Sequence, residues 1–153
     1  MYIPLPNAFH AEWTKRAADA GCHVLCEKPL AVNAAEAREV GNYCKESDIT
    51  LMETFMYQYH PRTERAVEVV RNHLDNVRFV RASFQTQAIA PGEYDIRLDP
   101  DLAGGSLMDV GCYAVTAARL FLGDPSRVYA SATDTRDCGV DTQLTGFSAL
   151  HVK

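Results

Sequence analysis

The sequence predicts an α/β chain in which part of a parallel, doubly wound sheet precedes part of an α+β unit with a largely antiparallel sheet. Up to about residue 57, short apolar runs alternate with helical stretches, which is the rhythm of parallel strands joined by crossover helices. Beyond that point the pattern changes to amphipathic helices and alternating strands. Hydrophobic residues make up 47% of the chain, a share typical of globular proteins.

The first predicted unit, residues 1–57, holds three apolar runs and two helical stretches. The runs are short, as in strands buried on both faces. Asn7 stands where asparagine caps a helix N-terminus well, Gly21 ends the first helix, and Asn33 or Val32 begins the second. The predicted strands lie at 2–6, 23–26 and 49–53, and the predicted helices at 8–20 and 34–47. The first helix is expected to bury a face formed by Phe9, Trp13, Ala17 and Ala20.

The second predicted unit, residues 58–153, mixes helices and strands. Pro61 begins a helix that reaches about His73, since proline suits the first turn of a helix. Residues 77–86 alternate in polarity, which predicts a strand with one buried face. A strongly apolar helix is expected from Leu107 to Leu122, ended by Gly123. Two further strands are predicted at 126–133 and 143–152.

Composition excludes several classes of partner. The net charge is −5 and the basic residues are dispersed, which does not suit nucleic-acid binding. No apolar run approaches the roughly 18 residues of a membrane span, and the N-terminus lacks the pattern of a signal peptide. The five cysteines include no Cys-x-x-Cys pair, which favours reduced thiols and no metal site. We therefore expect a cytoplasmic protein with no nucleic-acid or membrane partner.

Glu27, Lys28 and Pro29 follow a predicted parallel strand. Open α/β sheets bind ligands beyond the carboxyl ends of their strands. A lysine at this position can reach a cofactor ribose or a substrate hydroxyl, and its charge can lower the pKa of a neighbouring acid. The alternative is a surface lysine before a proline turn.

Asp109 and Tyr113 are four residues apart, so they share one face of the apolar helix. An acid and a phenol side by side can hold a substrate hydroxyl and transfer its proton. Lys28 nearby would lower the pKa of Tyr113 and an Asp109 anion would raise it, so the sign of the shift stays open. The alternative is a first-turn aspartate that stabilises the helix dipole beside a buried tyrosine.

Two further segments are candidates for ligand contact. Residues 55–62 lie at the junction of the two units, where ligand sites are frequent, and include Tyr57, Tyr59 and His60. Residues 4–10 run from a strand end to a helix start, a place that suits the polar middle of a cofactor. The alternatives are a hydrophobic hinge and, for His10, a capping or solvent-exposed residue.

Taken together, these segments resemble the Gfo/Idh/MocA oxidoreductase family. The resemblance rests on four stretches in matching order and spacing: Tyr-Ile-Pro-Leu-Pro-Asn-Ala-Phe-His, His-Val-Leu-Cys-Glu-Lys-Pro-Leu, Glu-Thr-Phe-Met-Tyr-Gln-Tyr-His-Pro-Arg and Gly-Gly-Ser-Leu-Met-Asp-Val-Gly-Cys-Tyr. A tyrosine at 113, where many members have histidine, is similar to the branch that contains glucose-fructose oxidoreductase, NADP-dependent xylose dehydrogenase and dihydrodiol dehydrogenase.

The resemblance implies the C-terminal half of a Rossmann domain at 1–57 and part of a C-terminal domain, used for substrate binding and oligomerisation, at 58–153. It implies NADP or NAD as cofactor, and hydride transfer between that cofactor and a sugar or cyclic diol. Lys28, Asp109 and Tyr113 would be catalytic, and Tyr57, Tyr59 and His60, with Asp109, would bind substrate. The implied cofactor contacts are Pro4, Leu5, Asn7, His10, Glu27 and Lys28. The parent protein would be a homo-oligomer that assembles through the C-terminal sheet.

The family's Gly-x-Gly-x-x-Gly turn does not occur in the sequence. We therefore expect a truncated copy with little or no activity alone. One alternative is a non-catalytic remnant, or a binding or oligomerisation subunit, of the same family. Another is an incorrectly assigned gene start.

Overall fold

A three-stranded parallel sheet forms the centre of the N-terminal part of the chain. The computed structural model describes residues 1–74, 77–86, 90 and 92–149. The sheet has the order β1 (Tyr2–Ile3), β2 (Val24–Cys26), β3 (Leu51–Glu53), and both of its pairings are parallel. The strands are joined through α1 (His10–Asp19) and α2 (Ala34–Glu46). The predicted alternation of strands and helices is confirmed.

Both helices pack against one face of this sheet. Ile3, Val24 and Cys26 point into that face and pack with Ala17 of α1. A second cluster joins the two helices: Ala11, Ala18, Val40 and Cys44. The opposite face carries a row of partly exposed apolar side chains, because Tyr2, Leu25 and Met52 stand side by side in the strand register.

The predicted buried face of the first helix is confirmed at Ala17 and wrong at Phe9, Trp13 and Ala20. Phe9 and Trp13 are 39% and 42% exposed, and the residues of α1 that are buried are His10, Ala11, Thr14, Ala17 and Ala18. The helix begins later than predicted, after a 3₁₀ turn at Asn7–Phe9. A 3₁₀ turn has about 3.0 residues per turn and not 3.6, so the apolar phase read through it was displaced.

Asn33 caps the second helix. Asn33 Oδ1 accepts a hydrogen bond from the backbone N–H of Glu36, whose own carboxylate accepts from the N–H of Val32. The arrangement is similar to a capping box, except that Glu36 bonds to the residue before the N-cap and not to the N-cap itself. The cap at Asn7 is wrong: its side chain donates to the carbonyl of Ala103 at 2.8 Å and so links the two predicted units.

The described residues of the C-terminal part include the α-helices α3 (Pro61–His73) and α4 (Cys112–Leu122) and an antiparallel hairpin. A π-helical turn at Leu107–Gly111 precedes α4. β4 (Arg127–Thr133) pairs with β5 (Gln143–Ala149). The last three residues of the second predicted strand, 150–152, lie outside the described residues.

Two predictions for this part need correction. Residues 77–86 are not a strand in the structure, because neither described sheet takes them into its ladder, and alternation cannot supply a pairing partner. The helix predicted from Leu107 starts as a π turn, not as α-helix. The predicted boundary between 57 and 58 falls inside a 3₁₀ turn, Met56–Tyr59, and stays a prediction.

Candidate functional site

The carboxyl ends of β1 and β2 lie side by side. Ile3 pairs with Cys26, so the chain leaves the sheet at Pro4 and at Glu27 along one edge. The Tyr2 hydroxyl donates to Glu27 Oε1 at 2.8 Å. Burial acts to raise the pKa of Glu27, but hydrogen bonds, including those from the Tyr2 hydroxyl and the Lys28 N–H, lower it on balance. The edge therefore presents a carboxylate where ligands of such sheets bind.

Lys28 reaches from this edge to the helix of the C-terminal part. Its Nζ donates to the backbone oxygen of Asp109 at 2.7 Å and lies 3.4 Å from Asp109 Oδ1. The same Nζ stands 5.5 Å from the ring centroid of Tyr113. The side chains of Lys28 and Asp109 are only 16% and 23% exposed. The three predicted catalytic residues thus come together, and Lys28 is not a free surface lysine.

The π turn sets how Asp109 and Tyr113 are presented. It occupies Leu107–Gly111, and its last residue leaves little room for a side chain, since a Cβ at Gly111 would lie 3.2 Å from the Leu107 side chain. Single π turns within helices recur at functional sites, because they change the direction of side chains over a short stretch. The group that approaches Gly111 is therefore the preceding turn of its own helix.

Tyr113 lies in an aromatic cluster. Phe84 stacks on its ring at 5.4 Å, Phe55 meets it edge-on at 5.5 Å, and Tyr57 is tilted at 6.0 Å. Burial, followed by the charges around it, raises the pKa of Tyr113. The sequence left open the direction in which the pKa of Tyr113 shifts, and in the structure that direction is upward. Lys28 lies over the ring, but its charge is engaged with Asp109. At neutral pH the phenol keeps its proton and can donate it.

Arg97 is a site residue that the sequence did not reveal. Its guanidinium donates twice to Asp95, at 2.8 and 2.7 Å, and stands 4.0 Å from Asp109 Oδ2. Its carbonyl oxygen accepts from the N–H of Gly105 at 2.8 Å. Alternating charges therefore run from Lys28 through Asp109 and Arg97 to Asp95. Arg97 sits in a short 3₁₀ turn, Ile96–Leu98, where no periodic pattern signals it.

Several predicted contact residues are placed elsewhere. His10 is fully buried, and its ring nitrogens lie 2.7 Å from the carbonyl oxygens of Leu5 and Pro29, so this geometry does not favour direct contact with a cofactor. His60 Nδ1 accepts from the N–H of Arg62 and caps α3. Tyr59 is 59% exposed. Of the three residues predicted from the junction, the structure brings Tyr57 to Tyr113.

Two family models match the chain. The model described as the oxidoreductase family, NAD-binding Rossmann fold, matches residues 1–55, and the GFO/IDH/MocA C-terminal domain matches residues 64–150. The chain belongs to the Gfo/Idh/MocA family. The resemblance seen in its four sequence stretches is confirmed, as is its α/β fold with a Rossmann-type sheet.

Members of the family with known activities cover most of this chain. D-xylose 1-dehydrogenase (NADP(+)) 2 of Haloferax volcanii is 60% identical over 146 residues, which are 95% of this chain and 45% of that protein. An aldose-aldose oxidoreductase from Caulobacter crescentus, solved with glycerol, has a TM-score of 0.86 and 34% identity, covering 95% of this chain and 45% of its own. A 3-ketoreductase from Actinomadura kijaniata, solved with NADP and TDP-benzene, has the same TM-score and identity, covering 98% and 46%. The chain thus spans less than half the length of these relatives.

The described part of the chain offers neither a metal-binding cluster nor a membrane span. Within the described residues, no group of three or more His, Cys, Asp or Glu could hold a metal ion. Within the same ranges, no helix is long and apolar enough to cross a membrane.

Proposed function

We propose that this chain carries the proton-transfer side of the active site of an NADP- or NAD-dependent dehydrogenase that acts on a sugar or cyclic diol. The observation that carries the proposal is the meeting of Lys28, Asp109 and Tyr113 from segments 81 residues apart. The relatives that are xylose dehydrogenase and aldose oxidoreductase support an aldose as substrate and NADP as cofactor.

The residues at the strand ends suit the nicotinamide end of such a cofactor. Glu27 presents an ionised carboxylate, which can accept hydrogen bonds from ribose hydroxyls, and Pro4 and Leu5 are exposed beside it. NADP or NAD, when bound, would supply the hydride acceptor. Asn7, already bonded to Ala103, would hold the loop around it to the second part of the chain.

Tyr113 is the proposed proton donor and acceptor. In the reduction direction its phenol gives a proton to the carbonyl oxygen of the substrate, and its raised pKa keeps that proton available at neutral pH. In the oxidation direction it takes the hydroxyl proton, so the rate of oxidation should rise with pH. Asp109 would hold a neighbouring substrate hydroxyl, and Lys28 would polarise the reacting oxygen. Tyr57 would pack against the substrate, with Tyr59 and His60 at the rim.

A chimera tests the proposal directly. The 146 aligned residues of this chain would replace the matching segment of the Haloferax volcanii xylose dehydrogenase, which supplies the remaining length. We expect NADP reduction that depends on D-xylose, and we expect Tyr113→Phe or Lys28→Met to lower kcat by roughly 10²-fold, the scale of a general acid–base group. Lys15→Met, on the surface of α1, is the control. Near-normal turnover in both site variants would refute the roles. The chain alone is expected to show no turnover.

A second candidate is a non-catalytic oligomerisation subunit, favoured by the exposed hairpin of β4 and β5. Tyr129 and Phe147 are 61% and 72% exposed and are directly paired across the strands, so they share one face of the hairpin. A homo-oligomer would cover this face. Sedimentation of the chain and of Phe147→Asp tests assembly, since the substitution should shift an oligomer towards monomer. An inactive chimera with intact assembly would favour this candidate.

The cytoplasmic location also stays a prediction.

A further inference from the structure

The loop before β5 contacts the start of the helix that bears Asp109 and Tyr113. Asp141 lies two residues ahead of β5. Its Oδ2 accepts hydrogen bonds from the Ser106 hydroxyl at 2.5 Å and from the N–H of Leu107 at 2.8 Å. Its backbone oxygen accepts from the N–H of Ser106 at 2.7 Å. Three hydrogen bonds therefore join one residue of the hairpin to the first residues of the helix.

Gly105 leaves the room that this contact needs. Its φ is +112°, a backbone conformation that residues other than glycine rarely adopt. An added Cβ would lie 2.4 Å from Asp141 Oδ1. The neighbouring Gly104 is constrained by a different group, since its Cβ would lie 2.5 Å from the carbonyl oxygen of Arg97. The glycine pair thus lets the Asp141 carboxylate on one side and the Arg97 turn on the other approach the helix start.

The helix start has no cap from its own segment. The structure gives Ser106 no side-chain capping bond, and the first N–H groups of a helix lack partners within it. Asp141 supplies that cap from 34 residues further along the chain. Asp109 lies two residues after the capped Leu107, and Tyr113 follows about one turn later. A shift of the capped end would therefore move both residues relative to Lys28.

We infer that Asp141 is a positioning residue, which fixes the start of this helix and thereby holds Asp109 and Tyr113 against Lys28. The inference deepens the proposed function and rests on it for the identity of the reacting groups. Its test reads the geometry of the site and not turnover, so that a failure of the proposed reaction and a failure of this inference are distinguishable.

The test is an NMR measurement on the chain labelled with ¹³C-lysine. Because Lys28 Nζ lies over the ring of Tyr113, the ε-protons of Lys28 should resonate upfield of those of the exposed Lys45. Lys28→Arg identifies the signal. Asp141→Ala should move the Lys28 signal most of the way to the position of Lys45. Asp141→Asn should leave it in place, since one amide oxygen can accept both hydrogen bonds.

Two further variants separate positioning from general destabilisation. Asp101→Ala, at an exposed aspartate near the helix start, should leave the Lys28 signal unchanged. Ser106→Ala removes a single bond to Asp141 and should shift the signal partway, which gives a readout even where Asp141→Ala yields no folded protein. A Lys28 signal unmoved in Asp141→Ala and Ser106→Ala, or moved equally by Asp141→Asn and Asp141→Ala, would overturn the inference.

Discussion

Replacing Lys28 by methionine should destabilise the chain far more than the same change at another ion-paired lysine. Methionine keeps most of the side-chain volume and removes the ammonium that bonds to Asp109. Hydrogen bonds to charged groups contribute roughly 1.5–3 kcal/mol, and breaking a fully buried pair costs about 3–5 kcal/mol. The Lys28 and Asp109 side chains are 16% and 23% exposed, and Arg97 still faces the carboxylate at 4.0 Å. We therefore expect Lys28→Met to lower the free energy of unfolding by about 2 kcal/mol, within the lower of these two ranges.

Lys15→Met is the matched control. Lys15 pairs with Glu39 at 2.5 Å, but the two side chains are 28% and 65% exposed, and such surface pairs contribute about 0.2–1 kcal/mol. Equilibrium unfolding in urea, monitored by the fluorescence of Trp13, measures both changes in the free energy of unfolding. For a chain of this length, 2 kcal/mol corresponds to a fall in Tm of roughly 4–8 °C. Equal losses in the two variants would show that burial of the Lys28 pair does not matter.

Three further predictions concern the sheet and its helices. Asn33→Ala should lower the free energy of unfolding by about 1 kcal/mol through loss of the α2 cap, whereas Asn42→Ala at an exposed helix position should change it little in the same urea assay; equal effects would contradict the role of the cap. Cys26 is fully buried and burial raises its pKa to about 11, so mass spectrometry should find it alkylated far more slowly than Cys22, and comparable rates would show that β2 opens readily. Because hydrogen bonds lower the pKa of Glu27, its stabilising contribution should be present above its ordinary pKa and be lost as the pH falls through the lowered value; Glu27→Gln should flatten that acid limb of stability, and an unchanged limb would assign it to other carboxylates.

The local features of the sequence predicted the N-terminal part well. Strands β1 to β3 are short apolar runs between helical stretches, and such runs have few alternatives in an α/β chain. A helix start at Asn33 or Val32 was predicted, but the hydrogen bonds of Asn33 and Glu36 that cap the helix were not. The buried face of α1 was predicted correctly only at Ala17, since the 3₁₀ turn at Asn7–Phe9 changes the helical phase, and neither turn type has a distinct composition there.

Some contacts between distant segments were predictable from sequence motifs, and others were not. Lys28, Asp109 and Tyr113 stood in recognisable stretches, and their meeting followed from the resemblance to the family. Arg97 and Asp141 lie in irregular segments, where residue type alone does not say what a side chain contacts. The strand predicted at 77–86 was wrong for a related reason. Alternation shows which face a strand would bury, but a strand also needs a neighbouring strand with which to pair.

The parallel sheet has helices on one face and the row of Tyr2, Leu25 and Met52 on the other, with exposed fractions of 55%, 38% and 37%. Three apolar side chains held abreast by hydrogen-bonded strands cannot turn away from water, as they could on a loop. One face of the sheet is therefore covered by helices, whereas the other exposes apolar side chains to water. Salts such as sulfate, which strengthen the association of apolar surfaces, should lower the solubility of the chain well before they affect its fold.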